Sequence, residues 1–583
     1  MEVIFRTFTN LLMKGEFPMF KRFLAVILSL IMLLSLVSMS GAEGATADPT
    51  NVYGGLVALD DANDPITFTL FVRDPGMEPA ADNPVIKKIQ ELTGVTIDFE
   101  FLVGDLDQKI GVMTAGEDYP DAIFAGDASM KLIDAGAFIP LEDLIPNYPS
   151  LNAMYGNCMD ALKAEDGHAY ELEMYSVFRG NTVVDQSPIF ECGLGFYIQK
   201  AVLADAGYVV PHTLDEYFDM IEAYLAKYPE IDGVKTSGFE ILCDGWRNWA
   251  LLNPAQNLMG DANDGAMFVD YQTYEPSFYQ DTETAYNLYK KLNEEYRKGV
   301  INAETLTMSY DAYISKLTTG AVLGFYDQGW NFGSAIDLLK ADGKYDRTYV
   351  AVPITNEGVR DGYIEGKNPD GAQPTGLNGI GITVNCKNPE RLLKFYDWLL
   401  QRDVQDYILW GIEGEDWVRS ENGTKEFTPE RRALWRDSAR RRDETGYTIW
   451  NYSPAWQGLY KSDGMPVRND DSTGEYLASQ SEYDQAFLKG FGIDYPAEMH
   501  SEPIVRPDYF PVWAMPLEDG SAAAIANTKI TDVTTKYDSR LVLADDDEAF
   551  DKIWNEFLEE FHKIDLDALK DEVTRQINLK MGL

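Results

Sequence analysis

The sequence predicts an α/β protein built from βαβ units with mostly parallel sheets. Two observations lead to this fold class. Beyond residue 65, β-branched and aromatic runs typical of strands alternate with amphipathic patterns typical of helices. The chain also has 583 residues, of which 45% are hydrophobic. At about 100 to 200 residues per domain, that length predicts two or three packed units with substantial cores.

The alternation starts with the first strand of the folded chain. In chain order, the pattern predicts a strand at Ile66–Val72, a helix from Asn83 to Gly94, a strand at Val95–Leu102, a helix at Asp107–Ala115 and a strand at Ala122–Ala125. Strand and helix follow each other without a break, which favours a parallel sheet.

The remainder of the chain continues with longer helices and a second group of strands. Thr213 and Glu216 fit a capping box at the start of a helix. Further helices are predicted at 284–297, 389–401 and 549–564, and further strands begin at Ala321, Tyr349 and Gly379. In the helix at 549–564 an apolar stripe is predicted to be core, formed by Phe550, Ile553, Trp554, Phe557 and Phe561.

The amino end is predicted to be a secretory signal. Residues 23–39 carry no charge and directly follow Lys21 and Arg22, the arrangement of an h-region behind an n-region. Cleavage is expected after the A-x-A pattern at 45–47, so that residues 19–47 form the signal and the mature chain is exported to the cell surface or medium. An uncleaved anchor helix is the alternative, because about 20 apolar residues span a bilayer.

Residues 1–18 lie ahead of that signal and contribute nothing that a signal needs. Codons for Lys14-Gly15-Glu16 can form a purine-rich ribosome-binding site just before Met19. We therefore expect translation to begin at Met19 and residues 1–18 to be an untranslated upstream segment.

Charge and cysteine content exclude several classes of protein. Lys and Arg number 49 against 95 Asp and Glu, a net charge of −46 that repels nucleic-acid phosphates and anionic lipid surfaces. The four cysteines, Cys158, Cys192, Cys243 and Cys386, show no C-x-x-C spacing, so zinc and iron–sulfur sites are unsupported. Either disulfides or buried free thiols fit this pattern.

Enzyme motifs are largely missing from the sequence. It contains no G-x-S-x-G, H-E-x-x-H or G-x-x-x-x-G-K-[ST] pattern, so we expect no catalytic centre, no cofactor and no metal. A glycosidase requires two carboxylates that flank a bond. The acids Glu413, Glu415 and Asp416 beside Trp417 keep that alternative open, since they form either an acid–base site or the polar rim of an aromatic platform.

Several motifs in a shared order resemble a known family. They are Tyr119-Pro120-Asp121, the segment 134–141, Asp166-Gly167, the segment 195–221, Gly329-Trp330, the segment 385–400 and the segment 411–417. This order is similar to that of family 1 extracellular solute-binding proteins, the receptors of ABC importers, and especially of their oligosaccharide-binding lipoprotein branch. The resemblance covers nearly all of the mature chain.

The resemblance implies a two-lobed type II periplasmic-binding-protein fold with interlobe hinge crossings and a helical C-terminal region. Lobe 1 is expected to comprise 65–176 and 376–425, and lobe 2 to comprise 186–352 and 430–583, with the C-terminal helices. The chain should cross between lobes near 171–185 and 349–355 and return to lobe 1 around Gly376.

This sequence departs from the family pattern in two places. No lipobox cysteine follows the h-region, which leaves open how the receptor is retained at the membrane. Many relatives carry an EF-hand-like calcium loop after the first capped helix. Here that place, Pro229–Lys235, offers too few oxygen ligands, as does Asp261–Gly265, so no calcium site is predicted.

Aromatic residues make up 12% of the chain, and some of them have polar neighbours. Sugars present apolar C–H faces and hydroxyl groups, so a sugar cleft combines flat rings with polar side chains. Trp398 and Trp554 fit core positions. The predicted ligand-binding residues are Asp244, Trp246, Arg247, Asp327, Trp330, Asn331, Glu413 and Trp417.

The function that this resemblance implies is capture of a small solute. We expect a monomeric receptor that binds an oligosaccharide between two lobes and delivers it to the permease subunits of an ABC importer. The alternatives are a secreted glycoside hydrolase and a glycan-adhesion surface protein without a transport role. The identity, length and charge of the sugar stay open at this point.

Overall fold

Two β-sheets, each with its own helices, form the frame of the protein. The computed structural model describes residues 48–583 apart from 81, 165, 175–177, 179–180, 185–192, 262–264, 362–373, 375–378, 502–506, 508, 510 and 519, and leaves out the side chains of 127, 246, 438, 448 and 449. The strands are β1 Ile66–Val72, β2 Val95–Phe101, β3 Ala122–Phe124, β4 Glu171–Glu173, β5 Val183–Val184, β6 Leu194–Gln199, β7 Glu230–Ile231, β8 Val234–Lys235, β9 Ser237–Glu240, β10 Phe268–Val269, β11 Pro276–Ser277, β12 Val322–Gln328, β13 Tyr349–Val352, β14 Gly379–Ile382, β15 Trp417–Arg419, β16 Lys425–Phe427 and β17 Leu459–Tyr460.

Helices fill most of the chain between the strands. They are α1 Pro84–Thr93, α2 Leu106–Gly116, α3 Ser129–Asp134, α4 Pro149–Tyr155, α5 Lys200–Asp205, α6 Leu214–Lys227, α7 Trp249–Leu252, α8 Pro254–Leu258, α9 Glu283–Lys298, α10 Tyr310–Leu317, α11 Gly329–Ala341, α12 Pro389–Leu399, α13 Arg402–Leu409, α14 Pro429–Arg436, α15 Ser438–Arg440, α16 Tyr447–Trp450, α17 Thr473–Ser479, α18 Glu482–Phe491, α19 Ala522–Val542, α20 Asp547–Phe561 and α21 Leu566–Met581.

The first sheet has five strands in the order β2-β1-β3-β14-β4. β1 pairs in parallel with β2 and β3, whereas β14 runs antiparallel to its neighbours β3 and β4. Four of the five strands therefore share one direction, as the alternating pattern predicted. The predicted strands and helices up to residue 125 are all present, with ends that differ by one or two residues.

Local capping explains why α1 begins and ends where the sequence predicted. The Asn83 side chain accepts hydrogen bonds from the backbone N–H groups of Val85 and Ile86, and Pro84 occupies the first helical position. Gly94 ends the helix with φ of 69°, a conformation that glycine adopts without a steric penalty.

A long segment after residue 428 packs against the first sheet. The tryptophans Trp435, Trp450 and Trp456 are buried in the same apolar cluster as β1 and β14. The expected boundary assigned 430–583 to the second lobe, and this packing differs from it. The reason is physical: these indoles bury their apolar surface in the core of the first sheet, and local sequence does not specify a packing partner so distant along the chain.

The second sheet has four strands in the order β13-β6-β12-β9. β6 runs antiparallel to β12 and β13, and β12 is parallel to β9. All seven residues of β12 are buried because it lies between two other strands. The C-terminal helices pack on this part of the molecule, and the predicted stripe on α20 is core, with Phe550, Trp554, Phe557 and Phe561 buried.

As traced through the described residues, the chain passes between the two sheets three times. It leaves the first sheet after β4, returns from β13 to β14, and leaves again between Val467 in the first core and Phe487 in the second. The expected crossings were near 171–185 and 349–355. The expected point of return at Gly376 lies outside the described residues. β5 and β17 pair with each other near the first passage and belong to neither large sheet.

Candidate functional site

Five of the predicted site residues with described side chains meet at one edge of the second sheet. Asp327 lies near the end of β12, and Trp330 and Asn331 lie in the first turn of α11. Asp244 lies just before a 3₁₀ turn at Gly245–Asn248, and Arg247 lies within that turn, a few residues after β9. β9 and β12 are parallel, so their carboxyl ends share an edge, which is where α/β sheets bind ligands.

The centre of this cluster is a buried carboxylate that holds its neighbours in place. Asp327 is fully buried; its Oδ1 accepts from Asn331 Nδ2 at 2.9 Å and its Oδ2 from Tyr313 Oη at 2.8 Å. Burial raises the pKa of Asp327 to about 6, although hydrogen bonds from Asn331, Gln328 and Tyr313 favour the ionised form.

Asp327 and Asn331 were predicted to contact ligand hydroxyl groups directly, and in this structure both are buried and hydrogen-bonded to other side chains. Asn331 is buried, donates to Asp327 and accepts from Arg247 Nε at 3.1 Å, so its amide is already occupied. Both residues are buried because Asp327 lies on the central strand β12 and Asn331 lies in the first helical turn after it. Both residues support the residues that face outward.

Arg247 and Asp244 connect the 3₁₀ turn to α10. The Arg247 guanidinium lies 4.1 Å from the centre of the Tyr310 ring, a cation–π contact. Asp244 Oδ2 accepts from the Tyr310 backbone N–H at 2.8 Å, and Tyr310 Oη donates to the Asn331 carbonyl at 2.7 Å. These contacts fix the turn relative to α11.

Trp330 presents the open surface of the cluster. Its side chain is 62% exposed, which is rare for so large an apolar group. The indole Nε1 donates to Gln328 Oε1, and the ring centre lies 6.4 Å from that of Trp249, tilted by 44°. Two indoles next to polar side chains form a surface that can stack on the apolar face of a sugar ring.

The 3₁₀ turn is also attached to the C-terminal helices. Asn248 Nδ2 donates to Thr535 Oγ1 at 3.0 Å and to Asp538 Oδ2 at 3.4 Å, both on α19. Burial raises the pKa of Asp538 to about 7. Sequence patterns did not indicate this link, because the partners are almost 300 residues apart.

The other predicted residues do not join this cluster. Trp417 is 5% exposed and packs against Trp410 and Lys425 in the core of the first sheet, so it is a core residue and no platform for a ligand. Its glycine-rich and acidic neighbours gave the wrong expectation, since β15 and β16 fold it inward. Glu413 lies nearby and pairs with Arg419 at 3.6 Å. The side chain of Trp246 is outside the described part of the chain.

A second polar cluster, which sequence patterns did not single out, lies at the carboxyl ends of β1 and β3. Arg73 and Asp74 follow β1 directly, and the Arg73 guanidinium lies 5.3 Å from the centre of the Phe124 ring at the end of β3. Tyr452 Oη donates to Asp74 Oδ2 at 3.1 Å, and its ring packs against Phe124 at 5.6 Å. Their position directly after predicted parallel strands was the available signal.

Glu171 on β4 is a buried acid next to this cluster. Its Oε1 accepts from Ser129 Oγ at 2.6 Å. Burial raises the pKa of Glu171 to about 8, with the positive charge of Arg73 acting in the opposite direction. At neutral pH the carboxyl is therefore mostly protonated and can donate as well as accept a hydrogen bond.

Two of the three acids considered for a glycosidase, Glu413 and Asp416, have structural partners. Asp416 Oδ2 accepts from the Ile412 backbone N–H at 2.8 Å, and Asp416 Oδ1 lies 3.9 Å from Arg431.

The segment Pro229–Lys235, which offers too few ligands for calcium, folds as the hairpin β7–β8, with Asp232 and Gly233 at positive φ in its turn. Within the described ranges, no group of three or more His, Cys, Asp and Glu side chains is arranged to hold a metal ion.

None of the helices in the described ranges is both long and apolar enough to span a bilayer. Of the four cysteines, Cys158, Cys243 and Cys386 are free thiols, and Cys192 lies outside the described residues.

Comparison with solved structures supports the fold. An HMO-binding solute-binding protein associated with an ABC transporter of Bifidobacterium longum infantis aligns over 88% of this chain and 99% of its own, with a TM-score of 0.60 and 15% identity. The substrate-binding protein FusA of Streptococcus pneumoniae, an EF-hand mutant in complex with fructo-nystose, aligns over 89% of this chain and 100% of its own, with a TM-score of 0.60 and 18% identity.

Sequence comparison identifies the family. Lipoprotein LipO of Bacillus subtilis is 23% identical over 361 residues, 58% of this chain and 65% of LipO. The polygalacturonan/rhamnogalacturonan-binding protein YtcQ of the same organism is 23% identical over 366 residues, 60% of this chain and 66% of YtcQ. The matches thus span just under two thirds of each relative. The family model for bacterial extracellular solute-binding proteins matches residues 85–411, more than half of the chain. The protein belongs to the bacterial extracellular solute-binding protein family.

Proposed function

We propose that this protein is an exported receptor that captures an oligosaccharide between its two sheets and delivers it to the permease subunits of an ABC importer. The observation that carries the proposal is the exposed indole of Trp330, with the partly buried Trp249 next to it, beside Arg247 and Asp244 at the carboxyl edge of the second sheet. A sugar ring needs this combination of a flat apolar face and nearby polar groups.

The second wall of the proposed cleft is the polar cluster on the first sheet. Arg73, Asp74 and Tyr452 offer donors and acceptors to hydroxyl groups. Arg73 and Asp74 follow a parallel strand of the first sheet, just as the Trp330 cluster follows a strand of the second. Both walls come from one chain, which is consistent with a monomer that binds without a partner subunit.

The lobes that carry these walls follow the packing of the two cores. We propose a first lobe of residues 65–176, 376–425 and the segment 429–467, and a second lobe of residues 186–352 and the chain from 482 onward. The three passages between them would act as the hinge. A ligand that touches both lobes stabilises the closed form through contacts that only this form offers.

No bond of the sugar is made or broken in this mechanism. Two of the relatives are named for binding: YtcQ is a polygalacturonan/rhamnogalacturonan-binding protein, and FusA is a fructooligosaccharide ABC transporter substrate-binding protein. Asp416 is engaged with the backbone and lies near an arginine, and Glu413 pairs with an arginine, which further weakens the hydrolase alternative. Uptake would be driven by an ATPase on another polypeptide.

Titration calorimetry on residues 48–583 with a panel of neutral and acidic oligosaccharides tests the proposal. We expect saturable binding of at least one sugar, and chromatography of the mixture afterwards should recover that sugar intact. Cleavage products would favour the glycoside hydrolase. Binding only to polymeric glycans, with no affinity for short oligosaccharides, would favour the adhesion protein.

A further inference from the structure

An arginine-rich segment stands out in this acidic chain. Within the 12 residues from 431 to 442 lie six arginines, Arg431, Arg432, Arg436, Arg440, Arg441 and Arg442, although the whole chain carries a net charge of −46. Four have a carboxylate partner: Arg432 with Glu475 at 2.7 Å, Arg440 with Glu444 at 2.7 Å, Arg442 with Asp443 at 2.7 Å, and Arg431 with Asp416 at 3.9 Å.

Arg436 and Arg441 differ from these four. Neither has a carboxylate within 4.0 Å among the residues that the structure describes. Arg436 donates to the Ser479 carbonyl at 3.2 Å. The Arg441 side chain makes no hydrogen bond to the described residues, and its Nε is buried. In a protein with almost twice as many acids as bases, a guanidinium without an acid partner is available to an external acceptor.

Two aromatic rings hold the Arg441 guanidinium in place. It lies 5.6 Å from the centre of the Trp435 ring and 5.3 Å from that of Tyr447. The backbone at Arg441–Thr445 forms a π-helical turn, an irregularity that is frequent at functional sites. An arginine that is stacked on rings keeps its planar fork in one orientation, so it loses little freedom when it binds.

The position of Arg441 relates it to the proposed cleft. Burial raises the pKa of Asp337 on α11, while the positive charges of Lys340, Arg441 and Arg436 act in the opposite direction, so both arginines lie near this carboxyl. Asp337 is seven residues after Trp330, which is two helical turns, so both lie on one face of α11. The arginine-rich segment packs with the first sheet. Arg441 therefore lies near Asp337, which is on the face of α11 that begins with Trp330.

We propose that Arg441 is a ligand-binding residue of the first lobe and that it takes the carboxylate of a uronic acid unit in the bound oligosaccharide. This inference rests on the proposed function and specifies the charge of its substrate. Guanidinium and carboxylate match as planar, bidentate partners, which neutral hydroxyl groups do not. The net negative charge of the chain repels an anionic sugar at long range, but salt screens this repulsion within about 10 Å. It therefore does not prevent a direct contact between the sugar carboxylate and Arg441.

The experiment measures affinity for pairs of probes that differ only in the acid. Oligogalacturonides and glucuronate-containing oligosaccharides are each titrated beside their carboxyl-reduced counterparts. We expect the acidic member of at least one pair to bind more tightly by about 10- to 100-fold, as for a charge-assisted hydrogen bond. R441Q should lower the affinity for that acidic probe to the level of its reduced counterpart and leave the reduced probe unchanged.

Three variants distinguish a direct ligand contact by Arg441 from a structural role. R440Q removes the same charge one residue away, from an arginine paired with Glu444, and should bind like the unchanged protein. R441K keeps the charge without the planar fork and should lose part of the affinity for the acidic probe. This variant replaces R441Q in the test if R441Q does not fold. D337N tests whether Arg441 only attaches the first lobe to α11. In that case D337N and R441Q would weaken acidic and neutral probes alike, and the proposal would be wrong.

The outcomes for the proposed function and for Arg441 can be told apart. If no member of the panel binds, the oligosaccharide receptor itself is refuted, and the role of Arg441 falls with it. If neutral probes bind as tightly as acidic ones, or R441Q changes neither, the receptor stands and only the assignment of Arg441 is overturned.

Discussion

Two tryptophans with similar sequence neighbours differ in their exposure to solvent. Trp330 and Trp417 both have glycine and acidic neighbours, yet Trp330 is exposed at the start of α11 and Trp417 is buried between strands and α13. The polarity of the neighbouring residues in the sequence does not determine whether a tryptophan is buried, because burial depends on strands and helices from elsewhere in the chain. The role of each tryptophan therefore has to be tested by substitution.

Replacing Trp330 by alanine should weaken binding of a proven ligand by roughly thirtyfold, because an aromatic contact of this kind contributes about 2 kcal/mol. The stability of W330A should change little, since the ring is mostly exposed. W554A is the matched control: Trp554 packs against Tyr286 and Phe557, and its loss should cost about 3 to 5 kcal/mol of stability. Calorimetry and denaturant unfolding measure both effects. Unchanged affinity in W330A would remove Trp330 from the site.

The buried acid Asp327 should make stability depend on pH. Its pKa is about 6 in the folded protein and near 4 in the unfolded chain, so between these values the folded state holds more protons. The contribution of Asp327 to stability therefore falls as pH rises from 4 to 7. Relative to D327N, the unchanged protein should lose about 2 to 3 kcal/mol over this range in urea unfolding. A difference that is constant or that grows with pH would contradict the burial argument.

At the scale of elements, β12 and α11 position the site. β12 is central in the second sheet, so its residues are buried, and α11 begins at Gly329 directly after its last residue and brings Trp330 to the surface. Two glycines in this unit differ in the space around them. A side chain on Gly324 would overlap Tyr217 Oη and press on Ile221, whereas at Gly329 the nearest atom, Tyr197 Oη, is 3.8 Å away.

This difference predicts opposite outcomes for two alanine substitutions. G324A should destabilise the protein by about 1 to 3 kcal/mol, because Tyr217 Oη donates a buried hydrogen bond to the Tyr197 carbonyl and would have to move. G329A should fold as stably as the unchanged chain or slightly better, since alanine favours a helix. Thermal unfolding compares the two. If G329A proves the less stable variant, the account of how β12 leads into α11 is wrong.

Elements with strong local signals could be predicted from the sequence. Asn83, Pro84 and Gly94 define α1 by capping alone, and alternating apolar runs identify the strands. Helix α11 was not predicted from the sequence, because the first turn of this helix is held by Asp327 and Arg247 from other segments. The Arg73 cluster and the link from Asn248 to α19 depend on contacts between distant segments, which a single sequence does not encode locally.

At the scale of the whole molecule, the two sheets are joined by three passages of the chain and carry two polar clusters at their carboxyl edges. The central claim is that a sugar binds to both clusters and thereby draws the two lobes together. A ligand with contacts on one lobe alone would bind without favouring the closed form. The claim therefore concerns the shape of the protein as well as its affinity.

Small-angle X-ray scattering of residues 48–583, recorded with and without a saturating oligosaccharide that calorimetry has identified, tests this claim most directly. We predict that the radius of gyration decreases when the sugar is added, and that W330A needs a correspondingly higher sugar concentration for the same decrease. A radius of gyration that stays constant while calorimetry shows the site to be fully occupied would contradict capture between the lobes.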